Sequence, residues 1–239
     1  MDVRGMLALV TGGSDGIGRE IALQLQGLGA AVIVTGRSAE KLAAMQALGF
    51  GTIAGDLSEA AGIDAIAKGV AGKPLALLVN NAGVGSDYDP ANAATLASAA
   101  RCIDTNLYAP IALVTRLLPQ LSAQGKAMIV NVTSGLAIAP RANGAIYCAT
   151  KAALRSYTQA IRHLLKGSGV HVMEALPPLV ATNMTSGRGG KMMTARDCAA
   201  EIARGIRADS DEVAVGQTKI LRLVHSISPA LARRIMIRY

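Results

Sequence analysis

Met6-Leu7-Ala8-Leu9-Val10-Thr11-Gly12-Gly13-Ser14-Asp15-Gly16-Ile17-Gly18 decides how this chain is read. Met6–Val10 is a short continuous apolar run, the pattern of a strand buried on both faces. The glycines break it. Ile17–Leu28 then places Ile21, Leu25 and Leu28 on one helical face, and Gly29 stops the helix. A glycine turn between a first strand and a first helix is where a doubly wound fold receives a pyrophosphate. Glycine at 12, 16 and 18 allows tight turning and lets backbone approach phosphate. The helix start adds free N–H groups and the positive end of its dipole.

Working outward, the same alternation runs through the chain. Ala31–Thr35 is a second strand, and Ser38 caps a helix carrying Leu42 and Met45 that ends at Gly49. Thr52–Ala54 is a third strand, and Ser58 caps a helix with Ile63, Ile66 and Val70. Leu75–Val79 is the fourth strand. The spacing of Ile103, Leu107, Ile111, Val114, Leu118 and Leu121 predicts one long helix over Ala93–Leu121. Ala127–Val132 is a strand, Tyr147–Leu165 a helix and Val170–Ala175 a strand. Thr194–Ala208 is a helix with Thr194 and Asp197 in capping-box positions, and Val213–Val215 a last strand. Apolar strands separated by helices predict an α/β fold, a doubly wound parallel sheet covered on both faces, in a single domain over residues 1–239.

Composition agrees. With 239 residues, 51% apolar and 17% charged, the chain can build a full core, filled by aliphatic side chains because there is no Trp and one Phe. No apolar run approaches the ~20 residues of a membrane span. The start is too short for a secretory core segment, and Cys102, Cys148 and Cys198 lack metal spacing, so reduced thiols in a cytoplasmic protein are expected. The net charge of +8 fits an anionic small molecule or an ordinary basic surface. No nucleic-acid motif or aromatic stacking platform accompanies it.

Separately placed motifs carry a family resemblance. Thr11-Gly-x-x-x-Gly-x-Gly, Asn80-Asn81-Ala82-Gly83 closing the fourth strand, Asn106 in the long helix, Ser134 after the fifth strand and Tyr147-x-x-x-Lys151 stand in the order of the short-chain dehydrogenase/reductase family. The chain resembles that family from Met6 to about Val215. The resemblance implies a Rossmann-type sheet of about seven strands and an oxidoreductase working with a nicotinamide cofactor.

Tyr and Lys at i and i+4 share a helical face. A nearby cation favours phenolate, so Tyr147 could exchange a proton with a carbonyl or alcohol oxygen while Ser134 bonds the same oxygen. The resemblance adds Lys151 as a holder of ribose hydroxyls and Asn106 as support for a proton relay. It places the cofactor against Gly12, Ser14, Asp15, Gly16, Ile17, Gly18, Arg37, Asp56, Leu57, Asn81, Ala82, Gly83, Tyr147, Lys151, Pro177, Val180 and Thr182. NADP(H) is expected over NAD(H). The second strand ends in Gly36 and Arg37 where NAD enzymes carry an acid. Asp15 departs from the basic residue many NADP members have there. Pro178 replaces the usual glycine of the family's Pro-Gly and stiffens that loop.

The substrate is expected between Val84–Asn92, Leu136–Gly144 and a lid at about 182–194, with Arg141, Arg188 and Lys191 among them. The resemblance also implies a homodimer or homotetramer through the helices Ala93–Leu121 and Tyr147–Gly167, where Ala109, Ala112, Ala152 and Ala153 permit close approach. Lys219–Tyr239 reads as a basic amphipathic appendage outside the catalytic centre, packed across a neighbouring subunit or over the substrate mouth rather than on a membrane surface. The competing reading is a non-catalytic nucleotide-sensing protein on the same fold.

Overall fold

The computed structural model describes residues 1–187 and 192–238. Strands β1 (Leu7–Val10), β2 (Ala31–Gly36), β3 (Gly51–Ala54), β4 (Leu75–Asn80), β5 (Ala127–Val132), β6 (Val170–Leu176) and a short β9 (Glu212–Ala214) form one parallel sheet in the order β3-β2-β1-β4-β5-β6-β9. The order reverses between β1 and β4, and that crevice is where such sheets bind ligands. β4 and β5 are buried along their whole length because helices cover both faces. One core layer holds α1 (Gly16–Gly27), α2 (Ala39–Ala47) and α7 (Ala195–Arg207) around Ile21, Leu25 and Ile202. The other holds α3 (Ala60–Gly69), α5 (Ala109–Ser122) and α6 (Ala145–Leu164) around Ile66, Leu113 and Ile161.

Ser38 caps α2 as its sequence predicts, accepting the Lys41 N–H. Ser58 does not cap α3. The Asp56 carboxylate takes both its N–H and its hydroxyl, and Glu59 becomes the N-cap without a side-chain bond. The single long helix over Ala93–Leu121 is also corrected. A 3₁₀ turn at Ala93–Thr95 leads into α4 (Leu96–Ile103), then a π turn at Asp104–Tyr108, then α5. Pro110 is one reason for the break: it has no N–H, so the Asn106 carbonyl lacks its regular i+4 donor. A small pair, β7 (Val180–Ala181) and β8 (Met193–Thr194), brackets the expected lid. Arg188 and Lys191 lie outside the described residues. The chain then runs through α8 (Thr218–Ile227) and α9 (Pro229–Met236), parted at Ser228, which caps α9. Cys102, Cys148 and Cys198 are buried free thiols. Among the described residues no helix is long and apolar enough to cross a membrane.

Candidate active site

The carboxyl ends of the central strands open into one cleft of about 1250 Å³. Its floor is the glycine loop. Thr11 Oγ1 accepts the N–H groups of Asn81 (3.0 Å) and Ala82 (3.1 Å), and Asn81 Nδ2 donates to the Thr11 carbonyl (3.0 Å), so this loop and the β4 end are one unit. Gly12 and Gly16 have φ of +63° and +52°. A Cβ on Gly18 would run into Asn81 and the Gly12 carbonyl, so Gly18 serves this packing and does not line the cleft. Asp15 caps α1 through the Gly16 N–H (2.8 Å). Its carboxylate also pairs with Lys41 and accepts from Asn183 Nδ2 (2.7 Å). Burial works to raise the Asp15 pKa, but these three donors hold it below its ordinary value. Ser14, Gly16, Ile17, Asn81, Ala82 and Gly83 line the cleft, as do Val180 and Thr182. A Cβ on Gly16 would lie 3.2 Å from Thr182 Cγ2.

At the β2 end, a Cβ on Gly36 would meet the Ser14 hydroxyl, so the position where NAD enzymes carry an acid has no room for a side chain while Ser14 keeps this place. Arg37 follows and pairs with Asp56 (3.3 Å), which Arg101 also approaches (3.7 Å). Burial works to raise Asp56, but its Ser58 bonds and Arg37 bring the pKa below normal. Leu57 completes this end.

Across the cleft, α6 carries Tyr147, Lys151 and Arg155 four residues apart, on one face. Lys151 is buried and donates from Nζ to the Val132 carbonyl (2.8 Å); Nζ lies 5.8 Å from the Tyr147 ring centre. Ser134 heads the 3₁₀ turn Gly135–Ala137, accepts the Leu136 N–H (3.1 Å) and lines the cleft together with Tyr147. Desolvation pushes the Tyr147 phenol up to about 12 against the opposing pull of Ser134, and burial lowers Lys151 to about 8. In the free protein desolvation opposes the phenolate, and the Lys151 ammonium is directed at the Val132 carbonyl.

Asn106 occupies the π turn, fully buried behind the cleft rather than on its wall. Its Oδ1 accepts the Val84 N–H (2.8 Å), and its Nδ2 donates to the Val84 carbonyl (2.9 Å) and to Thr150 Oγ1 (3.2 Å). The side chain thus fixes the β4 loop. π turns inside helices frequently mark functional sites. Pro177 and Pro178 both line the cleft, and the Pro177 carbonyl accepts the Gly135 N–H (2.9 Å), which ties this loop to Ser134.

Sequence reasoning missed a buried charge network behind these groups. Thr133 Oγ1 donates to Glu174 Oε1 (2.7 Å), Arg155 contacts Glu174 (2.7 Å) and Glu212 (3.0 Å), and Arg222 contacts Glu212 (2.7 Å). The available signals were an acid inside the apolar run Val170–Leu176 and an arginine one turn beyond Lys151. The network also anchors α8, as does Lys219 on Glu201 (2.7 Å). The segment read as an appendage packs over the cleft mouth: Thr218, Leu221, Val224, Ile235, Met236 and Arg238 line it. Gly135 makes this possible, since a Cβ there would lie 3.0 Å from Thr218 Oγ1.

A dinucleotide suits this cleft. The glycine floor is open to backbone contact, and Thr105, which lines the cleft, has a buried hydroxyl with no hydrogen-bond partner among the described residues. No cluster of His, Cys, Asp or Glu that could hold a metal occurs among the described residues.

A profile of the short chain dehydrogenase family matches residues 6–192. The chain belongs to this family. It is 40% identical over 181 residues to the uncharacterized oxidoreductase DltE of Bacillus subtilis, covering 74% of this chain and 72% of that one. A short chain dehydrogenase of Burkholderia cenocepacia in complex with NADP superposes with a TM-score of 0.89 at 22% identity over the whole of both chains, which shows the fold. A 3-oxoacyl (acyl-carrier-protein) reductase of Agrobacterium tumefaciens with NADP bound gives 0.74 at 30% identity, covering 83% of this chain and 86% of that one. This short-chain dehydrogenase is therefore an oxidoreductase whose seven-stranded sheet agrees with its relatives.

Proposed function

We propose that this protein interconverts a carbonyl and a secondary alcohol with NADP(H), Tyr147 being the acid/base. The observation that carries the reading is the meeting of Ser134 and Tyr147 in one cleft with the glycine loop, Lys151 buried behind them. A bound nicotinamide supplies the hydride to the carbonyl carbon, or accepts it in reverse. Ser134 donates a hydrogen bond to the carbonyl oxygen and stabilises the charge that develops there. Tyr147 donates its phenolic proton to that oxygen: the hydride's electron pair forms the C–H bond, and the π pair moves onto oxygen and forms the O–H bond. Lys151 in its ammonium form lies close enough to stabilise the phenolate left behind. We assign the Asn106 carbonyl, which Pro110 deprives of its regular i+4 donor, to a water that returns the proton.

Glycine at 36 and Arg37 beside it favour a cofactor with a 2′-phosphate, since a guanidinium matches phosphate geometry. The NADP held by the Agrobacterium tumefaciens relative supports the same choice. We place the enzyme in the cytoplasm as a homodimer or homotetramer. The test is NADPH consumption with a panel of ketones and aldehydes. Turnover lost in Tyr147→Phe with cofactor binding retained supports the reading; cofactor binding without turnover of any carbonyl or alcohol favours the nucleotide-sensing alternative.

A further inference from the structure

Packing over the cleft accounts for one side of the C-terminal hairpin. Leu221, Val224 and Met236 line the cleft and are partly covered. The other side is open. Among the described residues the densest run of exposed large apolar side chains is Ile220, Leu223 and Ile227 on α8 with Leu231, Ile235 and Ile237 on and just after α9. Ile220, Leu223 and Ile227 recur at helical spacing and so share one face of α8. At 66%, 61% and 77% exposure they touch little of the protein. Leu223, Ile227 and Leu231 take no part in the cleft lining. Ile220 and Ile235 are exposed and also line it, so the outer apolar surface continues into the cleft mouth.

Cations accompany these residues. No acid occurs between Lys219 and Tyr239. Lys219 and Arg222 are answered by Glu201 and Glu212, and the Ile237 carbonyl accepts the Ala142 N–H (3.1 Å). These bonds hold the hairpin to the body of the protein before any partner arrives. Arg233, Arg234 and Arg238 are exposed and have no ion-pair partner among the described residues. Arg234 stands three residues after Leu231 on the same side of α9, so its stem can cover apolar surface while its guanidinium reaches an anion.

We propose that this outer face docks on the surface of an anionic bilayer, with the cleft mouth turned toward the lipid. Apolar residues flanked by arginines on short surface helices suit the headgroup layer: the aliphatic side chains enter the acyl boundary while the guanidinium groups stay with the phosphates. A second copy fits this face less well. A two-fold contact sets a patch against its own like, and here it would gather Arg233, Arg234 and Arg238 with no acid of the segment to offset them. The docking does not depend on the reaction in the cleft.

The test is co-sedimentation of the full chain with sucrose-loaded vesicles of phosphatidylcholine alone, and of equimolar phosphatidylcholine and phosphatidylglycerol, at one low ionic strength. Affinity for the mixed vesicles is expected to be at least about tenfold higher and to fall with added salt. Leu223→Asp with Ile227→Asp lowers it by about tenfold or more. Arg233→Gln with Arg234→Gln removes most of the preference for phosphatidylglycerol. Leu164→Asp, at the end of α6 and 76% exposed, changes neither. Thermal unfolding checks that the variants fold; where the aspartate pair does not, the arginine pair decides. No binding of the wild type to mixed vesicles, equal binding to both kinds, or wild-type behaviour in both paired variants overturns the proposal. Wild-type protein that ignores vesicles assigns the face elsewhere: to a second copy if the aspartate pair loses a subunit contact in sedimentation, to an acidic protein if poly-L-glutamate alone retains the chain.

Discussion

The Arg155 guanidinium lies 2.7 Å from the carboxylate of Glu174, a side chain with no solvent exposure in the middle of β6. Lys151 on the Val132 carbonyl, and Arg155 on Thr133 by way of Glu174, fasten one face of α6 to successive residues at the β5 end. Arg155→Met leaves Glu174 buried with only Thr133 and should cost about 3–5 kcal/mol of stability. Glu174→Gln keeps a partner for Thr133 and leaves Arg155 with Glu212, so it should cost less. Desolvation raises the Glu174 pKa above 4.5 despite Thr133 and Arg155. Between its ordinary and its folded pKa the folded state holds more protons than the unfolded state. This group's contribution is therefore present below 4.5 and lost as pH rises through the folded value, a slope that Glu174→Gln should remove. Denaturant unfolding of both variants across the acid range checks the order and the slope.

Arg37→Ala should lower kcat/KM for NADPH by about tenfold or more and leave that for NADH nearly unchanged, since only NADPH carries the phosphate. Steady-state kinetics with both cofactors decide this. A wild-type preference for NADH would refute the assignment. Gly36→Asp is expected to perturb the loop as well, because its side chain must displace Ser14.

The two directions of the reaction should respond differently to pH. Tyr147, near 12 in the free protein, keeps its proton, so reduction shows no loss from this group between about pH 6 and 9. Oxidation needs the phenolate, whose fraction grows about tenfold per pH unit below the pKa, so oxidation should climb with pH. Lys151 gives a separate signature in stability. Its folded value of about 8 lies below the ordinary 10.5, so across that window the unfolded chain holds a proton the folded chain lacks. Stability from this group rises with pH through the window and is lost as pH falls through 8; Lys151→Met should flatten it.

Sedimentation at micromolar concentration should show a dimer or tetramer. Leu96, Ile103 and Tyr108 are exposed on α4 and its π turn, and Ala149 and Ala152 are exposed on α6. Ala109 and Ala112, expected to join such an interface, are buried inside the chain and are not available for it. Ala152→Arg should shift the distribution toward monomer.

The sheet was legible because β1, β4, β5 and β6 are predominantly apolar runs between amphipathic helices, and the cleft because its glycines and motif residues fall at strand ends. What local pattern could not show depends on contacts between distant residues. Ser58 looks like a helix cap until Asp56 claims its hydroxyl. The apolar spacing through Asn106 is helical on both sides of the π turn and conceals it. Nothing local marks Arg155, since its partners Glu174 and Glu212 come from β6 and β9. The C-terminal helices read as basic and amphipathic, yet Lys219 and Arg222 are spent on Glu201 and Glu212, and much of the apolar surface faces the cleft.

The most direct test of the central claim follows deuterium from NADPH labelled at the transferable position of its nicotinamide ring into a ketone, with wild type and Tyr147→Phe side by side. The account predicts one deuterium on the carbinol carbon of the alcohol made by the wild type. It predicts a loss of about 10²–10⁴-fold in rate for Tyr147→Phe with NADPH affinity preserved. Alcohol product without deuterium, or a wild-type rate in Tyr147→Phe where hydride transfer limits turnover, would contradict it.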